Sequence, residues 1–156
     1  MSRTSIVIAG FPGIGKSYFA SELNHRDDYE FVDLDPTPYS KQHDFPQNYM
    51  TEIQKAMKKP NRVILVGVHE PSRAALVEKG IPFTLVYPDK ELKQEYMKRY
   101  GSRGNNPGFL ELMDKKWDEF TGSCAGQRRC TPIVLGAGEF LSHHIDEILK
   151  SQKYSM

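Results

Sequence analysis

Residues 10 to 17 read Gly-Phe-Pro-Gly-Ile-Gly-Lys-Ser, a complete G-x-x-x-x-G-K-[ST] pattern, and no other feature of the chain restricts its fold so strongly. The preceding run Ser5-Ile6-Val7-Ile8-Ala9 is short, apolar and β-branched, as a buried strand should be. The stretch that follows, 16–23, suits a helix. Between a strand and a helix, the glycines let successive backbone N–H groups turn around a phosphate, and the helix N-terminus adds partial positive charge. The pattern therefore predicts a polyphosphate cradle made by Gly10, Pro12, Gly13, Ile14, Gly15, Lys16, Ser17 and Tyr18. Lys16 is expected to reach the β- and γ-phosphates and the Ser17 hydroxyl to ligate a metal, so ATP and Mg²⁺ are the expected ligands.

The rest of the chain alternates in the same way. Apolar β-type runs at 5–9, 30–34, 62–68, 83–87 and 132–135 are separated by helical stretches at 16–23, 47–58, 72–79, 90–100, 107–120 and 139–152. Such alternation predicts an α/β fold, a three-layer, doubly wound, parallel five-stranded sheet with helices on both faces. Ligands in these sheets sit beyond the carboxyl ends of the strands. At 156 residues, 38% apolar and 26% charged, the chain is expected to form a single domain, 1–156. No apolar run approaches the ~20 residues that span a membrane, and no secretory-type apolar stretch is evident, so a cytoplasmic location without membrane partners is expected. Cys124 and Cys130 form neither a disulfide framework nor a zinc quartet and read as reduced thiols. A formal charge of +1 gives no global commitment to nucleic acid. The sequence carries no signal for oligomeric state. The segment 35–45 reads as a loop, and 101–108 as a breaker-rich, mobile turn.

Phe31-Val32-Asp33-Leu34-Asp35 ends the second predicted strand with carboxylates on alternate residues, so both point to one side, towards the ligand end of the sheet. Asp33 can help hold Mg²⁺, and Asp35 can take the proton of an acceptor hydroxyl, which a neutral alcohol needs before it attacks. A phosphate acceptor needs no such base. Either aspartate can instead cap the turn that follows. His69 and Glu70 end the third predicted strand where many phosphate-loop ATPases place an Asp. His69 reads as a loop histidine.

Phosphoryl transfer spreads charge on the moving group, so mobile cations matter. Lys98, Arg99 and Arg103 flank the predicted turn and suggest a short lid around 98–108, with Arg99 and Arg103 as its catalytic cations. The alternative is a solvated basic helix end. Arg73 is placed to contact the acceptor or its phosphate, and Arg128 and Arg129 precede the last strand. Gly136 and Gly138 can let adenine approach the backbone or serve the turn's dihedrals. Tyr39, Phe45 and Tyr49 can stack on a base or form a helix's core edge.

These residues resemble a small P-loop kinase of the broad adenylate-kinase-like group. The Asp33-x-Asp35 offset from Lys16 is similar to that of shikimate and gluconate kinases, in which the first Asp lies near Mg²⁺ and the second engages the acceptor hydroxyl. Pro71, Arg73 and the run from Lys98 to Gly104 resemble the kinase half of phage polynucleotide kinase. The pattern from Val32 to Tyr49 resembles nucleotide-kinase-like proteins of phages and bacteria. The resemblance implies the strand order 2-3-1-4-5 and transfer to a hydroxyl of a nucleoside, nucleotide or nucleic-acid acceptor, such as a polynucleotide or a hydroxymethylated base. The sequence departs from it by having no arginine between Asp35 and Asn61, where sugar-acid and nucleoside-monophosphate kinases grip anionic substrates. A nucleoside monophosphate kinase, and a nucleotide-dependent switch without a small acceptor, are the alternative readings.

Overall fold

The computed structural model describes residues 4–21, 25–26 and 29–153. The end of the helix expected over 16–23 and the chain beyond 153 lie outside them. Strand β1 (Ile6–Gly10) is followed by α1 (Lys16–Ser21), β2 (His25–Arg26), β3 (Tyr29–Asp33), α2 (Thr37–Ser40), α3 (Gln47–Met57) and β4 (Arg62–Val66). Then come α4 (Glu70–Glu78), β5 (Thr84–Pro88), α5 (Lys93–Ser102), α6 (Pro107–Ala125), β6 (Thr131–Leu135) and α7 (Ile145–Lys153).

The sheet runs β2-β3-β4-β1-β5-β6. Its five long strands are all parallel, so counted alone they take the order 2-3-1-4-5. The short β2 adds an antiparallel edge to β3 that no periodic signal announced. In β1 and β5 every residue is buried, and in β4 only Arg62 is not. Continuous apolar runs of this kind belong to central parallel strands covered on both faces. At the far edge, β6 exposes Thr131, Pro132 and Val134.

Helix starts follow local chemistry. The Asn106 side chain accepts from Phe109 N (2.8 Å) ahead of Pro107, and the Asp89 carboxylate caps a 3₁₀ turn at Lys90–Leu92 that leads into α5. Three expectations shift. α6 continues to Ala125 instead of ending at Phe120. The last helix starts at Ile145, because 136–144 fold first into a turn and then a 3₁₀ segment at Leu141–His143. The loop 35–45 contains α2, with Pro38 in its first turn.

Under β1 and β5 lies an aromatic floor. Phe11 and Trp117 meet edge to face at 5.5 Å, and Tyr96 packs on Trp117 at 5.6 Å. All three are fully buried, and Trp117 Nε1 donates to Lys90 O (2.8 Å). Truncating such a ring to alanine costs about 3–5 kcal/mol. This floor sets α5 and α6 directly beneath the loop that leaves β1.

Candidate functional site: a phosphate loop facing two carboxylates

The loop between β1 and α1 is held from outside by its carbonyls. Tyr100 Oη donates to Pro12 O (2.8 Å), Arg99 Nη1 to Gly13 O (2.9 Å) and Leu141 N to Ile14 O (2.8 Å). Phe11 N donates to Val86 O (2.9 Å), and the amides of the glycine-rich turn beyond it are placed to meet an anion. Gly13 takes φ = +91°, and a Cβ there would sit 2.9 Å from the Tyr100 ring, so both dihedral and space demand glycine. Ile14 is wholly buried and contributes only backbone, whereas Gly10, Pro12, Gly13, Gly15, Lys16, Ser17 and Tyr18 line a cleft of about 1380 Å³. That exceeds the roughly 300–1,000 Å³ of a single-ligand pocket and leaves room for two substrates.

Lys16 donates to Gly10 O, and among the described residues no carboxylate pairs with its ammonium. Enclosure brings its pKa down from 10.5 to about 8, with Asp33 opposing the fall and Arg103 adding to it. An enclosed ammonium at a glycine-rich loop fits a polyphosphate tail. Asp33 ends β3 with Oδ2 3.5 Å from Ser17 Oγ. Enclosure by the cleft raises its carboxyl pKa, Lys16 opposes this and Asp35 adds to it. Those two oxygens fit one side of a divalent cation. Among the described residues no group of three or more His, Cys, Asp or Glu can hold one, so phosphate oxygens and water would complete the sphere.

Asp35 also lines the cleft, and its Oδ1 accepts from Thr37 N (3.0 Å) and Thr37 Oγ1 (2.7 Å). One oxygen thus caps the turn into α2, while Oδ2 has no partner among the described residues. The segment that carries the two aspartates is pinned from behind. Tyr49 Oη donates to Leu34 O and accepts from Gly67 N (3.2 Å). At Gly67 a Cβ would stand 2.7 Å from Pro36 Cγ, so only glycine lets the turns after β3 and β4 touch. Tyr49 is fully buried, with Tyr39 and Phe45 packed on its ring at 5.4 and 6.2 Å. These aromatics form the core edge and do not present a stack for a base.

The arginines separate into three situations. The Arg73 guanidinium, expected at the acceptor, lines the cleft but is buried and held by protein: Nε donates to Val68 O, Nη1 to Ser123 O and Gln127 Oε1, and Nη2 to Ser123 Oγ, at 2.5–3.0 Å. It clamps α4 to α6. Arg99 fastens the phosphate loop to the turn after β6, donating to Gly13 O, Glu139 O (3.0 Å) and Glu95 Oε2 (2.6 Å) between the rings of Tyr96 and Phe140. Arg103 is exposed, lines the cleft and has no partner among the described residues. Lys98, Arg128 and Arg129 do not line it.

His69 lines the cleft beside the Phe45 ring, and enclosure together with the Lys16 and Arg73 charges lowers its pKa. The Gly136–Glu139 turn is closed on itself, with Gly136 N donating to Glu139 Oε1 (2.6 Å) and Gly138 N to Glu95. Two residues that sequence reading passed over, Phe140 and Ser142, join Gly15 and Tyr18 around a side pocket of about 270 Å³. Phe140 and Tyr18 are exposed aromatics, and Phe140 lies in a region that the sequence suggested was helix.

A phosphate loop between the first strand and helix, with parallel strands in the order 2-3-1-4-5, defines the architecture. The fold is a doubly wound P-loop α/β sheet. No protein-family model matches the sequence, and no curated relative does. Among solved structures, an uncharacterized protein from Eubacterium ventriosum superposes with a TM-score of 0.54 at 16% identity, over 98% of this chain and 99% of that one. Shikimate kinase from Acinetobacter baumannii, in complex with shikimate, gives 0.49 at 18% over 98% and 96%. Shikimate kinase from Bacteroides thetaiotaomicron gives 0.47 at 14% over 96% of each chain. The likeness is one of fold, and any finer grouping rests on the motifs.

Among the described residues no helix is long and apolar enough to cross a membrane.

Proposed function

We propose that the chain is an ATP-dependent phosphotransferase that moves the γ-phosphate to a hydroxyl of a nucleoside-type or nucleic-acid acceptor. One observation carries this reading: the enclosed Lys16 ammonium, which forms no ion pair among the described residues, opens on the same cleft as the two carboxylates Asp33 and Asp35. The loop amides and Lys16 bind the β- and γ-phosphates, and Tyr18 and Phe140 offer aromatic surface to the base. Ser17 and Asp33 would hold Mg²⁺, which when bound neutralises phosphate charge.

Asp35 Oδ2 accepts the proton of the acceptor hydroxyl while Thr37 fixes the carboxylate through Oδ1. The hydroxyl oxygen forms a bond to the γ-phosphorus as the bond from that phosphorus to the β,γ-bridging oxygen breaks, and ADP leaves with the electron pair. Arg103, with no side-chain partner among the described residues, is the cation that meets the charge on the transferring group, whereas Arg99 holds the loop in shape. Lid movement of the 98–108 segment would bring Arg103 inward.

The hydrogen bonds that make Asp35 a turn cap favour a second reading, a nucleoside monophosphate kinase whose phosphate acceptor needs no base. Asp35→Asn separates the two. With γ-labelled ATP and a panel of nucleosides, monophosphates and oligonucleotides, a hydroxyl kinase loses roughly two to four decades of kcat. A loss under about threefold favours the phosphate acceptor. Absence of any label transfer, with Mg·ATP binding unchanged in Lys16→Ala, overturns both.

A further inference from the structure

From α6 the cleft is lined by Phe109, Leu112, Met113 and Phe120 together with Glu119 and Ser123, and Val68, in the turn after β4, lines it as well. Leu112 is 45% exposed, a large apolar side chain left open at a cleft mouth instead of being packed away. Aromatic and aliphatic walls with few polar groups select flat or apolar bodies.

The charges around the cleft point the same way. Asp33, Asp35 and Glu70 line it, and none forms an ion pair among the described residues. The Arg73 guanidinium, which also lines the cleft, already donates to four protein acceptors and bridges α4 and α6. Arg103 lines the cleft too and is already assigned, in the proposed function, to the transferring phosphate. That leaves Lys41, the exposed residue that ends α2. A second anion on the acceptor would meet like charge and an apolar wall, with no fork of donors to hold it.

We infer that the acceptor is an uncharged alcohol with a flat, apolar body, of the unphosphorylated nucleoside type, lying against Phe109, Leu112 and Phe120 with its reacting hydroxyl at Asp35. The inference rests on the proposed kinase activity and narrows it, excluding carboxylated, phosphorylated and polymeric acceptors.

The test offers neutral nucleosides, their 5′-monophosphates, a 5′-hydroxyl oligonucleotide and shikimate to the full chain with Mg·ATP labelled at the γ-position. The expected result is a phosphate ester on a neutral nucleoside, with kcat/KM at least about tenfold above that of any anionic acceptor. Leu112→Lys, a change at an exposed position, should raise the KM for that nucleoside about tenfold while the KM for ATP stays within twofold. Lys41→Ala should leave both KM values within twofold. Preference for an anionic acceptor, or a tenfold rise in acceptor KM in Lys41→Ala, overturns the inference and leaves the kinase reading standing. ATP binding that depends on Lys16 without label in any neutral acceptor overturns it as well. Loss of ATP binding itself removes the kinase reading beneath it.

Discussion

Lys16 carries the charge on which nucleotide binding turns, and its environment makes that charge dependent on pH. Enclosure lowers its pKa from 10.5 to about 8. Below pH 8 the ammonium is protonated in folded and unfolded chains alike, and its desolvation penalty stands in full. Between about 8 and 10.5 the unfolded chain keeps a proton that the folded chain has released, so this group's contribution to stability rises with pH. A bound polyphosphate has the opposite effect on the same proton, because its negative charge raises the Lys16 pKa. ATP binding near pH 9 should therefore take up close to one proton, measurable by calorimetry in buffers of different ionisation enthalpy, and affinity should fall from pH 7.5 to 9.5. A pH-independent affinity would contradict this account. Arg73 shows how environment reassigns a residue. The sequence suggests a substrate contact, but its donors go to Val68 O, Ser123 and Gln127. Arg73→Ala should accordingly destabilise the fold by about 3 kcal/mol through orphaned buried acceptors, seen as a lower denaturation midpoint. A drop in activity with unchanged stability would restore the substrate role.

At the scale of elements, the phosphate loop is shaped as much by α5 as by its own glycines. Tyr100 and Arg99, adjacent on α5, hold the carbonyls of Pro12 and Gly13. Gly13→Ala places a Cβ in the left-handed region and against the Tyr100 ring. The strain alone is about 1–2 kcal/mol, and the ring cannot give way without releasing Pro12 O. This variant should lose at least about tenfold in Mg·ATP affinity and fall measurably in Tm. Full affinity would mean that the loop tolerates another course. How legible each element was follows from what its residues advertise. β1, β4 and β5 are continuous apolar runs and their positions were readable, as were the phosphate loop and the pair Asp33 and Asp35, because their chemistry is local. β2 is two residues long and has no period to detect. α2 is a single turn of Thr, Pro, Tyr and Ser whose start is fixed by the Asp35 carboxylate, so its composition reads as loop. The partners of Arg73 on α6 lie about fifty residues away in sequence, and those of Arg99 on the phosphate loop more than eighty. Spacing along the chain reports none of these contacts. The apolar wall of α6 was legible as helix but not as cleft.

For the molecule as a whole, the cleft lies along the carboxyl edge of the sheet, and named side chains tie the elements of its walls together. Tyr49 links the turns after β3 and β4, Arg73 links α4 to α6, and Arg99 links α5 to the phosphate loop and the turn after β6. A ligand that spans the phosphate loop, Asp33 and the Phe140 side pocket adds contacts between those elements that exist only in the folded state. Mass action then gives a stabilisation of about 2.7 kcal/mol at a ligand concentration one hundred times Kd. For a chain of this length about 1 kcal/mol moves Tm by roughly 2–4 °C, so saturating Mg·ATP should raise Tm by roughly 5–10 °C. Lys16→Ala should abolish most of that shift while leaving the ligand-free Tm unchanged or slightly higher, since it removes a poorly solvated charge. This pairing of outcomes separates binding from folding. A variant that merely unfolds would lower both midpoints together, and a cleft that does not bind triphosphate would show no shift in either protein.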